Sequence, residues 1–335
     1  MKKKNNILIF ACVLCWMSNA GCSKNNGTPQ GGGSNRIDSG LLYYSAADKL
    51  VQYDFSARKE TTIYSDGDHY QVSPHAKRFI WYRNDFTSGS TYVQIHNLLQ
   101  PTQYRTILLP CILEGTPKFI SESSHIYAAL AKAADGAVKR TDLIVFNGDD
   151  SKIIGRIPHV KSFCVTATGK DLVLSAEAFS SDGTSIGYAL AVIKNFQSAN
   201  DQQSLTIHEY PDYGQLPEDM AASPAGEAEQ VVFVHLDHLY SVNIQEGAQP
   251  RQLTGSRFRE ADPGWSKDGK YIVFTANTPD RSLDCGEIRI IPATAQNIIS
   301  VPEDLPDNEP ADLLQPVDIN GKSIHGCGSE SYLWR

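Results

Sequence analysis

Two sets of residues in this 335-residue chain could do chemistry. The first centres on Ser185 in "GTSIG", Gly183 to Gly187, which fits the G-x-S-x-G spacing of an activated serine nucleophile. That chemistry needs a strand, a sharp turn and a helix, so that the hydroxyl stands clear beside an oxyanion hole and a histidine further along. Here the serine falls on a loop ahead of the strand-like run "YALAVIK", and no stretch remains to build a hydrolase domain. The spacing is read as chance. The second set is acidic and imidazole: Asp68, His69, Glu114, His159, Asp219, Glu260 and Asp262, each shortly before a short apolar run or at its start. Gathered around one opening, their summed field would draw a cationic peptide, an amine or a metal ion. The same residues also suit solvated loops of an acidic protein, with some carboxylates capping loop amides. A glycosidase pair depends on a carboxylate separation that sequence does not fix. No CxxC or Cys/His cluster has zinc spacing, and neither a metal nor another cofactor is expected.

Whether those residues meet depends on the elements between them. The stretch "ADPGWSKDGKYIVFTAN", Ala261 to Asn277, reads as a strand ending at Trp265, a turn through Asp268-Gly269, and a return strand of β-branched and aromatic residues. Similar units begin at Val72 ("VSPHAKRFIW"), Phe119, Val165 ("VTATGKDLVL"), Ala222 and Val317 ("VDINGKSI"), separated by 43 to 57 residues. All but the last, at Val317, are followed by a third and a fourth strand-like run, such as "YVQIHNL" and "YRTILLP" after Val72, or "EIRIIPA" and "NIISVP" after Trp265. Periods of this length, with four short strands each, mark a β-propeller. Before Val72 stand three strands, "LLYYSAA", "KLVQYDF" and "KETTIYS", with no first strand ahead of them; Leu313 to Asp318 offers one near the other end. The fold class expected is all-β: a six-bladed propeller of four-stranded blades, closed by pairing of N- and C-terminal strands, which leaves no open edge.

With Pro263 two residues before Trp265, the unit resembles the TolB-like propeller repeat "P-x-W-S-x-D-G-K-x-I-x-F". The resemblance runs from Leu41 to Arg335, most closely at Trp265 and Val72. It implies the same fold, and by itself no activity. The family includes a periplasmic scaffold that engages an outer-membrane lipoprotein, and such repeats also occur in some polysaccharide lyases. A non-enzymatic module that holds an envelope protein or peptide at one propeller face is therefore expected. The alternative is a glycan-binding or polysaccharide-degrading propeller that uses channel carboxylates and histidines.

The ends of the chain bear on location. Lys2 to Lys4, the apolar run "ILIFACVLCWM" and "SNAGC" read as a signal over residues 1–21, too short for a comfortable membrane span. The signal's end resembles that of bacterial lipoproteins, which makes Cys22 the expected site of lipid attachment, although Asn19 stands where Leu is usual. Residues 22–38 are polar and glycine-rich and read as a flexible tether spanning roughly 20 Å, ahead of the propeller at 39–335. The expected location is the outer membrane, held through the lipid anchor only and facing the periplasm rather than the cell surface. The net charge of −8, near −11 once the three signal lysines are gone, disfavours a nucleic-acid partner. Of the remaining cysteines, Cys285 and Cys327 fall on loops expected to share a face and are a candidate disulfide; Cys111 and Cys164 read as buried thiols.

Overall fold

The computed structural model describes residues 37, 39–67, 69–120, 125–133, 140–179, 185–197, 202–210, 216–224, 229–277, 285–302, 312–327 and 332–335. The signal, Cys22 and nearly all of the tether lie outside the described residues, as does Asp68.

Six four-stranded antiparallel sheets make the blades of a propeller. Blade 1 is built from both ends of the chain: Leu333–Trp334 is innermost, followed outward by Leu41–Ala46, Lys49–Asp54 and Lys59–Tyr64. Blade 2 runs from Gln71–Val72 to Tyr104–Leu109, and blade 3 from Lys118–Phe119 to Ile153–Ile157. Blade 4 runs from Val160–Val165 to Gln203–Tyr210, and blade 5 from Glu218–Ala222 to Arg251–Gln252. Blade 6 consists of Glu260–Trp265, Tyr271–Ala276, Cys285–Pro292 and His325–Cys327.

The repeated turn explains why a hydroxyl recurs after the inner strands of blades 2, 4, 5 and 6. In blade 6 the Ser266 hydroxyl donates to the Asp268 carboxylate at 2.7 Å and accepts the Tyr271 N–H at 2.9 Å, while Gly269 takes φ +70° to close the hairpin. Ser73, Thr166 and Ser223 accept the N–H of the return strand in the same way, from Arg78, Asp171 and Gln230. Successive side chains on a strand point to opposite faces, and in the middle blades both faces are covered. In blade 1, Leu42 and Tyr44 pack on Val273 and Ile288 of blade 6, whereas Tyr43 packs with Val72 and Phe79 of blade 2. Hence the near-continuous burial of "LLYYSA".

Closure by N- and C-terminal strands is present, but not through Leu313 to Asp318. Leu41 and Arg335 exchange backbone hydrogen bonds at 2.6 and 2.8 Å, and Leu42 pairs with Trp334. The "DINGK" stretch forms only a local turn, with the single bridge Val317 to Ser323. Trp334 has what that polar turn lacks: a ring stacked on Phe55 at 4.8 Å and on Tyr271 at 5.7 Å, which fixes the last strand between blades 6 and 1. A second displacement follows from the first. Ile299–Ser300, expected as the fourth strand of blade 6, pairs in parallel with Thr254–Gly255 instead, and His325–Cys327 takes the fourth place. Cys285 and Cys327 therefore face each other within one blade rather than across neighbouring ones.

Candidate functional site

The chain enters every inner strand on one face of the ring, here the upstream rim, and leaves it on the other, the downstream mouth. The described residues singled out from sequence, which leave out Asp68, flank the upstream ends of inner strands. His69, Asp219 and Asp262 stand four positions before Ser73, Ser223 and Ser266, and all three are left-handed, with φ of +54°, +44° and +52°. At Asp219 and Asp262 this coincides with register breaks between Glu218 and Ala221 and between Ala261 and Gly264. Asp and His tolerate that conformation better than β-branched residues, so the bulge itself accounts for part of their recurrence.

The rim is largely matched within the chain. Arg259 Nη2 reaches Glu218 at 3.1 Å and Asp219 at 3.5 Å. Burial raises the pKa of the Glu218 carboxyl, the Asp219 charge adds to that, and Arg259 opposes both. Glu114 pairs with Lys132 at 3.6 Å, and Nδ1 of His159 lies 3.2 Å from Glu177. His69 is exposed, and its carbonyl accepts the Thr116 hydroxyl of the next blade at 2.9 Å. Glu260 does not face solvent at all. It is 0 % exposed and accepts the Leu239 N–H at 3.1 Å and the Thr254 hydroxyl, and burial pushes its pKa up to about 7. Among the described residues, no three His, Cys, Asp or Glu side chains are grouped to hold a metal ion. Ser185 opens the third strand of blade 4 and donates to the Ala178 carbonyl at 3.5 Å; a strand, not a strand-to-helix turn, carries it.

The cavity lies at the other end. A space of about 1000 Å³ occupies the downstream mouth, where the inner strands of all six blades end. Its wall is mainly apolar, with Val72, Phe119, Ile120, Val165, Ala222 and Tyr332 contributing, and its rim is the set of hydroxyl turns described above. The strands converge closely: a Cβ on Gly264 would lie 2.8 Å from Cβ of Tyr332, so the inner strands of blades 6 and 1 meet only because residue 264 has no side chain. Lys77, Arg78, Lys267 and Arg335 also line the space, and no Asp or Glu side chain does among the described residues. The guanidinium of Arg78 lies 5.3 Å from the ring centroid of Phe119, and that of Arg335 donates to the His75 carbonyl. Lys77 lies four residues after Ser73, Lys267 one after Ser266, and Arg335 follows no hydroxyl turn, so no common spacing marks them as a set in the sequence.

Ring and blade count define a six-bladed β-propeller, and its repeat resembles the TolB-like one. The chain is similar to TolB from Acinetobacter baumannii, with 14 % identity and a TM-score of 0.55 over 76 % of this chain and 62 % of that one. It is similar also to a protein from Agrobacterium tumefaciens assigned as TolB, with 12 % identity and a TM-score of 0.51 over 76 % and 85 %. A chain of a nidogen/laminin complex matches with 9 % identity and a TM-score of 0.54 over 88 % and 98 %. The chain thus spans less than two thirds of the first of these. At such identities the likeness is one of fold. No protein-family model and no curated protein matches the sequence.

Proposed function

We propose that this protein is a membrane-tethered binding module that holds a segment of another envelope protein in the downstream mouth of its propeller. The observation that carries the reading is the cavity of about 1000 Å³ at which all six inner strands end. Its size lies at the upper end of the range for ligand sites, and its apolar wall would bury side chains of a peptide. The upstream rim, with its carboxylates matched by Arg259 and Lys132, has less charge to offer a partner. That a chain of similar fold occurs in a nidogen/laminin complex agrees with a protein ligand. Lipid on Cys22 and the glycine-rich stretch after it would keep the ring near a membrane, facing the periplasm, with freedom to find its partner.

The test is site-specific photo-cross-linking in intact cells. A photoreactive residue at exposed Thr168, on the rim of the cavity, should give a discrete adduct with one envelope protein. The same residue at exposed Leu108, on the outermost strand of blade 2, should not. Adducts from Leu108 and none from Thr168 would overturn the reading, and adducts with glycan alone would replace the protein ligand with a sugar.

A further inference from the structure

We infer that the segment held in the downstream mouth is an acidic peptide, one that carries several Asp or Glu side chains among apolar residues. This rests on the reading that the mouth takes a peptide, and it adds the chemistry that selects which one. Lys77 comes from blade 2, Lys267 from blade 6 and Arg335 from blade 1, so positive charge reaches the same space from three blades. Arg78 adds a fourth cation from blade 2. No carboxylate side chain lines the cavity among the described residues, in a chain with 38 acidic residues against 30 basic ones. The overall charge would repel an anion at long range. Within a Debye length of about 8 Å at physiological salt, however, a bound ligand meets mainly the local cations.

The Phe, Tyr and Trp rings that line the space among the described residues, Phe119, Trp265, Tyr332 and Trp334, are all buried and offer a sugar no open platform. Trp334 is 5 % exposed and stacked on Phe55 and Tyr271, and Trp265 is 9 % exposed with its N–H given to Ala221. What remains open on the wall is aliphatic and small: Val165, Ala167, Ala221, Ala222 and Pro224 are among it. Aliphatic wall with a cationic rim fits alternating apolar and carboxylate side chains better than a polyhydroxylated chain.

The experiment compares three fluorescent peptides of one apolar framework, with Glu, Gln or Lys at alternate positions, and an oligogalacturonate as the acidic sugar. Anisotropy titrations use the folded protein, its Lys77→Gln/Lys267→Gln variant and a Thr168→Trp variant that narrows the mouth. Both lysines are on exposed turns, so the double variant should melt with the parent. The Glu peptide should bind at least tenfold tighter than the Gln peptide in 0.15 M salt. That advantage should fall severalfold in the lysine variant and largely vanish in 1 M salt, where the Debye length is about 3 Å. Equal binding of Glu and Gln peptides, both weakened by Thr168→Trp, would overturn the acidic selectivity and leave the peptide reading standing. Binding of no peptide would overturn both, and binding of oligogalacturonate alone would assign the mouth to acidic glycans.

Discussion

The indole N–H of Trp265 donates to the carbonyl of Ala221 at 3.1 Å, tying the inner strand of blade 6 to that of blade 5, one repeat earlier. The tryptophan of the repeat is therefore a joint between blades as well as a core residue packed with Ile272 and Phe274. Trp265→Phe keeps most of the buried surface and loses the hydrogen bond, and should cost about 1 kcal/mol. Trp265→Ala also opens a cavity and should cost about 3–5 kcal/mol. Urea denaturation of both variants measures this; a phenylalanine variant as stable as the parent would show that the hydrogen bond contributes nothing.

The buried carboxyl of Glu260 makes stability depend on pH. Its native pKa of about 7 lies above the unfolded value near 4.3, so within that window the native protein holds a proton that the unfolded chain releases. Stability should fall as pH rises from about 4.3 to 7, by roughly 4 kcal/mol from this group, and then level off. Nδ1 of His238 lies 3.9 Å from the same carboxylate, and Asp237 faces it as well. Comparing Glu260→Gln with the parent isolates the one group: the variant should have a flatter profile and be the more stable of the two at pH 7.5. Parallel profiles would contradict this.

Much of the fold could be read from residues that have one clear physical job. Ser266, Asp268 and Gly269 announce an inner turn because hydroxyl, carboxylate and positive φ are all needed there. Asp318 to Lys322 imitates that turn, since Asp318 caps the N–H of Lys322 at 2.9 Å, and so drew the closing strand to the wrong place. The true strand, Leu333–Trp334, is two residues long and too short to carry a period. For the site, the upstream carboxylates were legible as a group, but Glu260's burial and the pairing with Arg259 depend on contacts between loops. The basic mouth exists only once the ring brings Lys77, Lys267 and Arg335 together.

Cys285 is disulfide-bonded, and its partner across the ladder of blade 6 is Cys327, a register that suits a bond between the two. Peptide mapping without reductant should recover a Cys285–Cys327 linked pair, with Cys111 and Cys164 as free thiols. Burial pushes the Cys164 thiol up to about 12 and raises that of Cys111, so both should react slowly with alkylating agents in the native state. Reduction should lower stability by about 2–4 kcal/mol. Finding Cys285 joined to any other cysteine would refute the pairing.

If Cys22 carries lipid, Cys22→Ala should move the protein from the membrane pellet to the soluble fraction without changing its melting temperature. Retention in the pellet after a high-salt wash would point to another means of attachment.

The downstream mouth is most directly tested by hydrogen–deuterium exchange on the protein with and without a peptide selected against it from a display library. Protection should gather on the turns that rim the cavity, at 73–78, 166–168, 223–224 and 266–267. Protection confined instead to the upstream segments around His69, Glu114, His159, Asp219 and Asp262 would place the partner on the opposite face and contradict the account.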